Sequence, residues 1–185
     1  IKDDARAAIA AAFAAEFDVS APVPTEFSGV PVANNLKSWF IRWEVDRGPN
    51  DVDTLWHLAA AAVDYANNAD ESTREDLVSA FDECPLGNTR LLTMGLYWIR
   101  PSTFAAYDSV NVAFIKKDLP ELASQLALGA KITGEQFLAN TEALKTWLAS
   151  EASPFDNICD LSYAAWIDAL DANGPEDAGA GQPVS

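Results

Sequence analysis

The chain has 185 residues, with 28 acidic against 12 basic side chains and 49% hydrophobic residues. That length and apolar content can build a substantial core, which argues against a disordered tail, and no apolar run approaches the roughly 18 residues of a membrane-spanning helix. A formal charge of −16 repels phosphate overall and therefore disfavours bulk nucleic-acid binding.

The cysteines and the first residues indicate the context of the chain. Two cysteines lie far apart without metal-ligating neighbours, so we expect reduced thiols and no zinc site. The chain begins with Ile and mixes acidic residues into its first apolar run, which does not fit a secretory signal peptide. We therefore expect a fragment of a longer cytoplasmic protein.

Apolar residues recur at helical spacing along almost the whole chain, and this periodicity predicts an all-α fold. We expect a single compact multi-helix domain of about eight helices at residues 1–174. The remaining residues, 175–185, are rich in Gly, Pro and acidic side chains, which predicts a flexible linker.

The first predicted helix covers residues 3–17 and carries one apolar stripe, formed by Ile9, Phe13 and Phe17. The second begins after Asn34 or Asn35, whose side chains can cap it, and ends at Gly48 and Pro49.

The third predicted helix is capped by Asn50 or Asp51, and the fourth begins with an S-x-x-E capping box of Ser72 and Glu75. The third helix should present one apolar stripe, made of Val52, Leu55, Trp56, Ala59 and Val63.

Residues 91–99, LLTMGLYWI, are apolar almost without interruption and should form the central element of the fold. Periodicity alone does not separate a buried helix from a buried strand, but the helical surroundings favour a helix. Arg100 and Pro101 should end it, because proline disfavours the helical conformation of the residue before it.

The remaining helices are predicted from their end signals. Asp108 should cap a short helix, and a proline in the first turn should begin another at residues 120–128. Thr133 and Gln136 form a second capping box, and Ser162 can cap the last helix.

The usual nucleotide-binding motifs are absent. The sequence contains no G-x-x-x-x-G-K-[ST] loop and no G-x-G-x-x-G after a strand, so we expect no nucleotide hydrolysis by this chain. His57 and Cys84 are expected to be structural, and the acidic pairs are expected to lie on solvated helix surfaces. We predict no catalytic residue, no metal and no cofactor.

One stretch, KSWFIRWEVDR, combines aromatic and basic side chains as sites for flipped bases or peptide cations do. Its candidate recognition residues are Trp39, Arg42, Trp43 and Arg47. The alternative interpretation makes the tryptophans a core stripe and pairs the arginines with neighbouring acids.

Trp98 and Arg100 form a second candidate of the same kind. The alternative for Arg100 is structural, because a cation at the end of a helix is stabilised by the helix dipole.

The stretch LTMGLYWIRPSTFAAYDSVNVAFI, residues 92–115, resembles a segment found upstream of the motor in bacterial McrB-like AAA proteins, relatives of the 5-methylcytosine-specific restriction NTPase. That segment has W-I-R-P, then Phe, Leu-Asp-Ser and Asn-Arg. Residues 35–56 and 160–167 are similar to other parts of the same region.

The resemblance extends to several individual residues. Two positions depart from the pattern, since Tyr107 stands where the family has Leu and Val112 where it has Arg. The positions that agree are Trp98, Arg100, Pro101, Phe104, Asp108, Ser109 and Asn111. The resemblance implies that the motor and its nucleotide hydrolysis lie C-terminal to this chain, and it adds Asp108 to the candidate recognition residues.

These observations predict a non-catalytic recognition or regulatory domain of a McrB-like AAA NTPase, with DNA-target selection in restriction or defence as one role. The alternative is an adaptor that docks a partner subunit or a basic peptide through its acidic surface. An autonomous hydrolase is a third hypothesis, and it requires an acid and a base around a deep pocket. A positive patch favours DNA, an exposed apolar groove favours a protein partner, and no membrane partner is expected.

Overall fold

The computed structural model describes residues 3–25, 44–84 and 89–173. These residues form eight α-helices and one short 3-10 helix and contain no strand, which confirms the all-α prediction. The second predicted helix lies largely outside the described residues, and so does the predicted linker. The helices are α1 (Asp3–Glu16), α2 (Asp51–Asn67), α3 (Glu71–Glu83), α4 (Thr89–Ile99), α5 (Ser109–Asp118), α6 (Pro120–Ala123), α7 (Gly134–Leu148) and α8 (Ile158–Asn173), and the 3-10 helix is Glu44–Asp46.

Contacts divide the chain into two compact units, residues 1–39 and residues 40–185. In the first unit, the helix α1 ends at Glu16, and Asp18, two residues further, takes the left-handed conformation with φ 50°. The amide of Val19 donates to the carbonyl of Ala14, so the end of α1 is a Schellman motif with Asp in place of the usual Gly.

The core of the second unit is built around aromatic side chains. The rings of Phe81 and Phe137 stack with their centroids 4.7 Å apart, and Phe104 lies 5.5 Å from Phe137. Tyr65 packs on the other side of the group, 6.1 Å from Phe104. These four residues come from α2, α3, α7 and the loop before α5, so the cluster ties distant parts of the chain together.

The helices α3 and α7 approach each other closely at Gly134. A Cβ atom at this position would lie 2.8 Å from the Cα of Val78 and closer still to its carbonyl oxygen. The amide of Gly134 donates to Asp82 at 2.7 Å, and Arg74 forms an ion pair with Glu142 between the same two helices. The absence of a side chain at Gly134 therefore allows the backbones to meet.

A buried amide holds the loop between α6 and α7. Asn140 is almost fully buried, and its side chain donates to the carbonyl of Ala127 at 2.9 Å and accepts from the amide of Ala127 at 2.7 Å. The predicted helix at residues 120–128 is too long, since α6 ends at Ala123 and the chain at Ala127 is held in a loop by Asn140.

Residues 91–99 form a helix, as predicted. Leu92, Thr93 and Leu96 are buried, so this part of the chain contributes to the core. The hydroxyl of Thr93 accepts from the amide of Tyr107 at 2.9 Å, which joins α4 to the loop before α5.

Two predicted helix caps are confirmed. Asp108 accepts from the amides of Val110 and Asn111, and Thr133 and Gln136 form a capping box.

Two other predicted caps are wrong. The box at the start of α3 is formed by Asp70 and Thr73 rather than by Ser72 and Glu75, because the helix begins earlier than predicted. The last helix also begins earlier, at Ile158, where Asn157 accepts from the amide of Asp160 at 3.0 Å. A residue inside the helix, Ser162, therefore does not cap it.

Candidate functional site

An apolar groove lies between α2 and α4. Its volume is about 420 Å³, and it opens to solvent along one side. The α2 side is lined by Val52, Leu55, Trp56, Leu58 and Ala59, and the α4 side by Leu92, Gly95, Leu96 and Ile99.

The groove contains most of the apolar stripe predicted for α2. Only part of that stripe is covered, since Trp56 is 72% exposed and Val52 is 41% exposed. A neighbouring face of the helix supplies the core residues Ala61, Ala62 and Tyr65, and the buried Leu58 lies at the boundary, where it also lines the groove. The apolar residues of α2 thus span two faces, of which one is buried and the other forms a wall of the groove.

On the α4 side, one residue with no side chain lies among larger apolar groups. Leu92 and Leu96 are buried and form the floor, while Gly95 and Ile99 are partly exposed. Because Gly95 adds no side chain, the space above the floor stays open.

The chemistry of the groove is apolar binding. None of the lining side chains is charged, and the indole N–H of Trp56 is the one polar group that these side chains carry. Such a surface can bury the apolar stripe of a helix, but it supplies no acid, base or nucleophile.

The candidate recognition residues near the end of α4 are either exposed or hydrogen-bonded to residues close to them in the chain. Trp98 is 61% exposed and meets the ring of Tyr97 at a centroid distance of 6.1 Å. The guanidinium of Arg100 donates to the carbonyl of Ile99 at 2.9 Å. The carboxylate of Asp108 caps α5 and also accepts from the side chain of Asn111 at 2.7 Å.

The KSWFIRWEVDR candidate is described only at its end. Arg47 is exposed, and its amide donates to Glu44 at 3.2 Å. The other three candidates, Trp39, Arg42 and Trp43, lie outside the described residues.

The other titratable groups that the structure describes lie outside the lining of the groove. His57 is exposed and contacts Asp76 at 3.2 Å, and Cys84 is buried. Burial raises the pKa of Tyr97, and its neighbour Cys159 raises it further. Within residues 3–25, 44–84 and 89–173, no group of three or more His, Cys, Asp or Glu side chains is placed to hold a metal ion.

Reasoning from the sequence placed the apolar residues of α2 on one stripe and did not identify the groove. Two signals were present in the sequence. The apolar residues between Val52 and Tyr65 are too many for one face of a helix, and Gly95 interrupts an otherwise bulky apolar helix. A helix of that kind has an apolar face left over after the core is filled.

A model of a family described as a domain of unknown function, DUF8425, matches residues 1–168. The chain belongs to the DUF8425 family. No curated protein and no solved structure matches this DUF8425 chain. No helix among its described residues is long and apolar enough to cross a membrane.

Proposed function

We propose that this DUF8425 chain is a non-catalytic protein-docking module, and that its α2–α4 groove binds an apolar helical segment of a partner. The observation that carries this proposal is an uncharged, solvent-open groove of about 420 Å³ with Trp56 exposed on its wall. Exposed apolar surface is costly to leave in water, and grooves of this kind bind the apolar face of amphipathic helices.

The dimensions support a helical ligand. The lining residues cover positions 52–59 of α2 and 92–99 of α4, which is about 10 Å along each helix. Apolar side chains at positions i, i+4 and i+7 of a ligand helix span the same distance, about 10 Å. A groove between two helices can therefore take two turns of a third.

The setting that we propose is the cytoplasmic N-terminal region of a McrB-like AAA NTPase, in which the docking module recruits a partner subunit. The support for it is the resemblance of residues 92–115 and of the two shorter stretches. The full-length reading frame tests it directly. A G-x-x-x-x-G-K-[ST] loop downstream of residue 185 is expected, and a reading frame without one would contradict this setting.

The docking proposal is tested with a designed probe, an uncharged helical peptide of about 18 residues with leucines on one face and Gln and Ala elsewhere. Methyl NMR spectra of the chain are recorded during the titration. We expect the shifts to concentrate on Leu55, Leu92 and Ile99, which line the groove. Shifts spread over the surface, or none at saturating peptide, would contradict the proposal.

Two variants at one position provide the matched control. Gly95→Leu places a large side chain in the groove and should abolish binding, whereas Gly95→Ala should retain most of it. Both changes favour the helix. Thermal unfolding followed by circular dichroism is recorded for both variants, so a loss of binding by a folded Gly95→Leu variant alone reports the filled groove.

A second proposal is DNA-target selection, supported by the exposed ring of Trp98 and by Arg100 two residues further along the chain. Its test is fluorescence anisotropy with single- and double-stranded DNA, modified and unmodified, at two salt concentrations. Saturable binding that weakens with salt and with Trp98→Ala supports it. A flat titration at both salt concentrations would remove it.

A further inference from the structure

We infer that the ligand of the α2–α4 groove is a basic amphipathic helix of a partner protein. The inference rests on the proposed docking function, and it names the charge of the partner. The residues that border the groove, rather than those that line it, indicate the charge of this ligand.

The outer border on α2 is acidic. Asp53 and Asp64 are exposed, and they lie one turn before Trp56 and about two turns after it, on the solvent side of the helix. A helix lying in the groove over Trp56 would bring its own flanking side chains near these two carboxylates. Lysine or arginine at those flanking positions would be attracted, whereas glutamate would be repelled.

None of the α4 residues that line the groove is charged. Arg90 precedes Leu92 by two residues, which turns it about 200° round the helix and away from the lining. Arg100 lies beyond the end of α4 and donates to the carbonyl of Ile99. The described border is therefore acidic along α2 and apolar along α4, where Trp98 is exposed, and the cation Arg100 lies only past the C-terminal end of α4.

The charge of the whole chain points the same way. At −16 the chain repels a second copy of itself and any acidic partner, and it attracts a basic partner from a distance. This long-range attraction would speed association with any cationic partner, but it does not determine where on the surface the ligand binds. The local border of Asp53 and Asp64 is what would make charge matter inside the groove.

Three matched peptides of about 18 residues test the inference. They share one leucine face and carry either Lys and Arg, Gln, or Glu at the flanking positions. Affinity for the full chain is measured by fluorescence anisotropy at about 50 mM and about 500 mM salt. The basic peptide should bind about tenfold more tightly than the Gln peptide at low salt, and the difference should shrink at high salt.

Two double variants separate the local border from the overall charge. Asp53→Asn with Asp64→Asn should remove most of the preference for the basic peptide. Asp156→Asn with Asp171→Asn changes two other exposed carboxylates, so it makes the net charge less negative by the same amount and should leave the preference intact. Gly95→Leu should abolish binding of all three peptides.

The failures of the two proposals are distinguishable. If all three peptides bind equally and Gly95→Leu blocks them, the docking function stands and the basic partner is wrong. If the basic preference survives Gly95→Leu, or falls equally in both double variants, the attraction is a general charge effect and the inference fails. If no peptide binds, both proposals fail. Self-association that Gly95→Leu abolishes would identify a second copy as the ligand and also overturn the inference.

Discussion

The helix pairs α3–α7 and α2–α4 pack apolar side chains in opposite ways. Between α3 and α7, Gly134 lets the backbones meet, and the rings of Phe81 and Phe137 stack with an interplanar angle of 10°. Between α2 and α4, similar apolar residues leave a groove of about 420 Å³ with Trp56 largely in solvent. Apolar content alone therefore does not distinguish a closed core from an open groove.

The position of the glycine in each helix pair explains much of this difference in packing. Gly134 lies where two backbones cross, so the missing side chain lets the helices close. Gly95 lies on a groove wall opposite an exposed tryptophan, so the missing side chain leaves space instead. The first contact depends on complementary shape, whereas the second leaves room for a ligand.

Phe137→Ala should break the closed contact and produce the largest effect. The ring of Phe137 is fully buried against Phe81 and Phe104, so we expect the free energy of unfolding to fall by about 3–5 kcal/mol. Urea unfolding followed by circular dichroism measures it. A loss below 1 kcal/mol, a value far under the usual cost of such a cavity, would mean that the aromatic cluster is not the core.

Gly134→Ala should have the next largest effect, a loss of about 1–3 kcal/mol, because its Cβ would overlap the backbone of Val78. Gly95→Ala is the matched control. It adds the same methyl group to a helix at the groove, so it should be neutral or stabilise the chain by up to about 1 kcal/mol. Equal losses in both variants would show that the two glycines have the same role, contrary to the comparison.

The start of α3 gives a smaller effect that depends on pH. Backbone hydrogen bonding from Thr73 is the main cause that lowers the pKa of Asp70. Because the folded-state pKa lies below the unfolded one, Asp70 stabilises the fold at pH values above its ordinary range, and this contribution is lost as the pH falls through the folded-state pKa. The stability difference between the wild-type chain and Asp70→Ala should therefore be largest at neutral pH and shrink in acid.

Glu75→Ala is the control for this measurement, because Glu75 is exposed in the same helix and takes no part in the capping box. Its stability difference from the wild-type chain should not follow the pattern of Asp70. A difference for Asp70→Ala that grows as the pH falls would contradict the assigned cause.

Much of the fold could be predicted from the sequence because the signals were local. Helical periodicity gave the all-α class, and the caps at Asp108 and Thr133 were recognisable from side chains within three residues of each other. The predicted capping box of α3 begins two residues later than the observed one, because Asp70, Ser72 and Thr73 all carry side chains that can cap a helix. Only the folded backbone selects among them.

The groove could not be predicted in the same way, because it depends on how two distant helices meet. Periodicity predicts one apolar stripe from Val52 to Val63, but nothing in the sequence of α2 indicates that Gly95 of α4 lines the same groove. Whether an apolar face is covered is decided by tertiary packing, which single-helix periodicity does not contain.

Trp56→Ala tests whether the wall of the groove serves a partner, as we propose, rather than the fold. Peptide affinity and the free energy of unfolding are measured on the same preparation. We expect affinity for the leucine-faced peptide to fall at least about tenfold, while the free energy of unfolding changes by about 0.5 kcal/mol or less. Unchanged affinity together with a loss of about 2 kcal/mol or more would contradict the claim and make Trp56 part of the core.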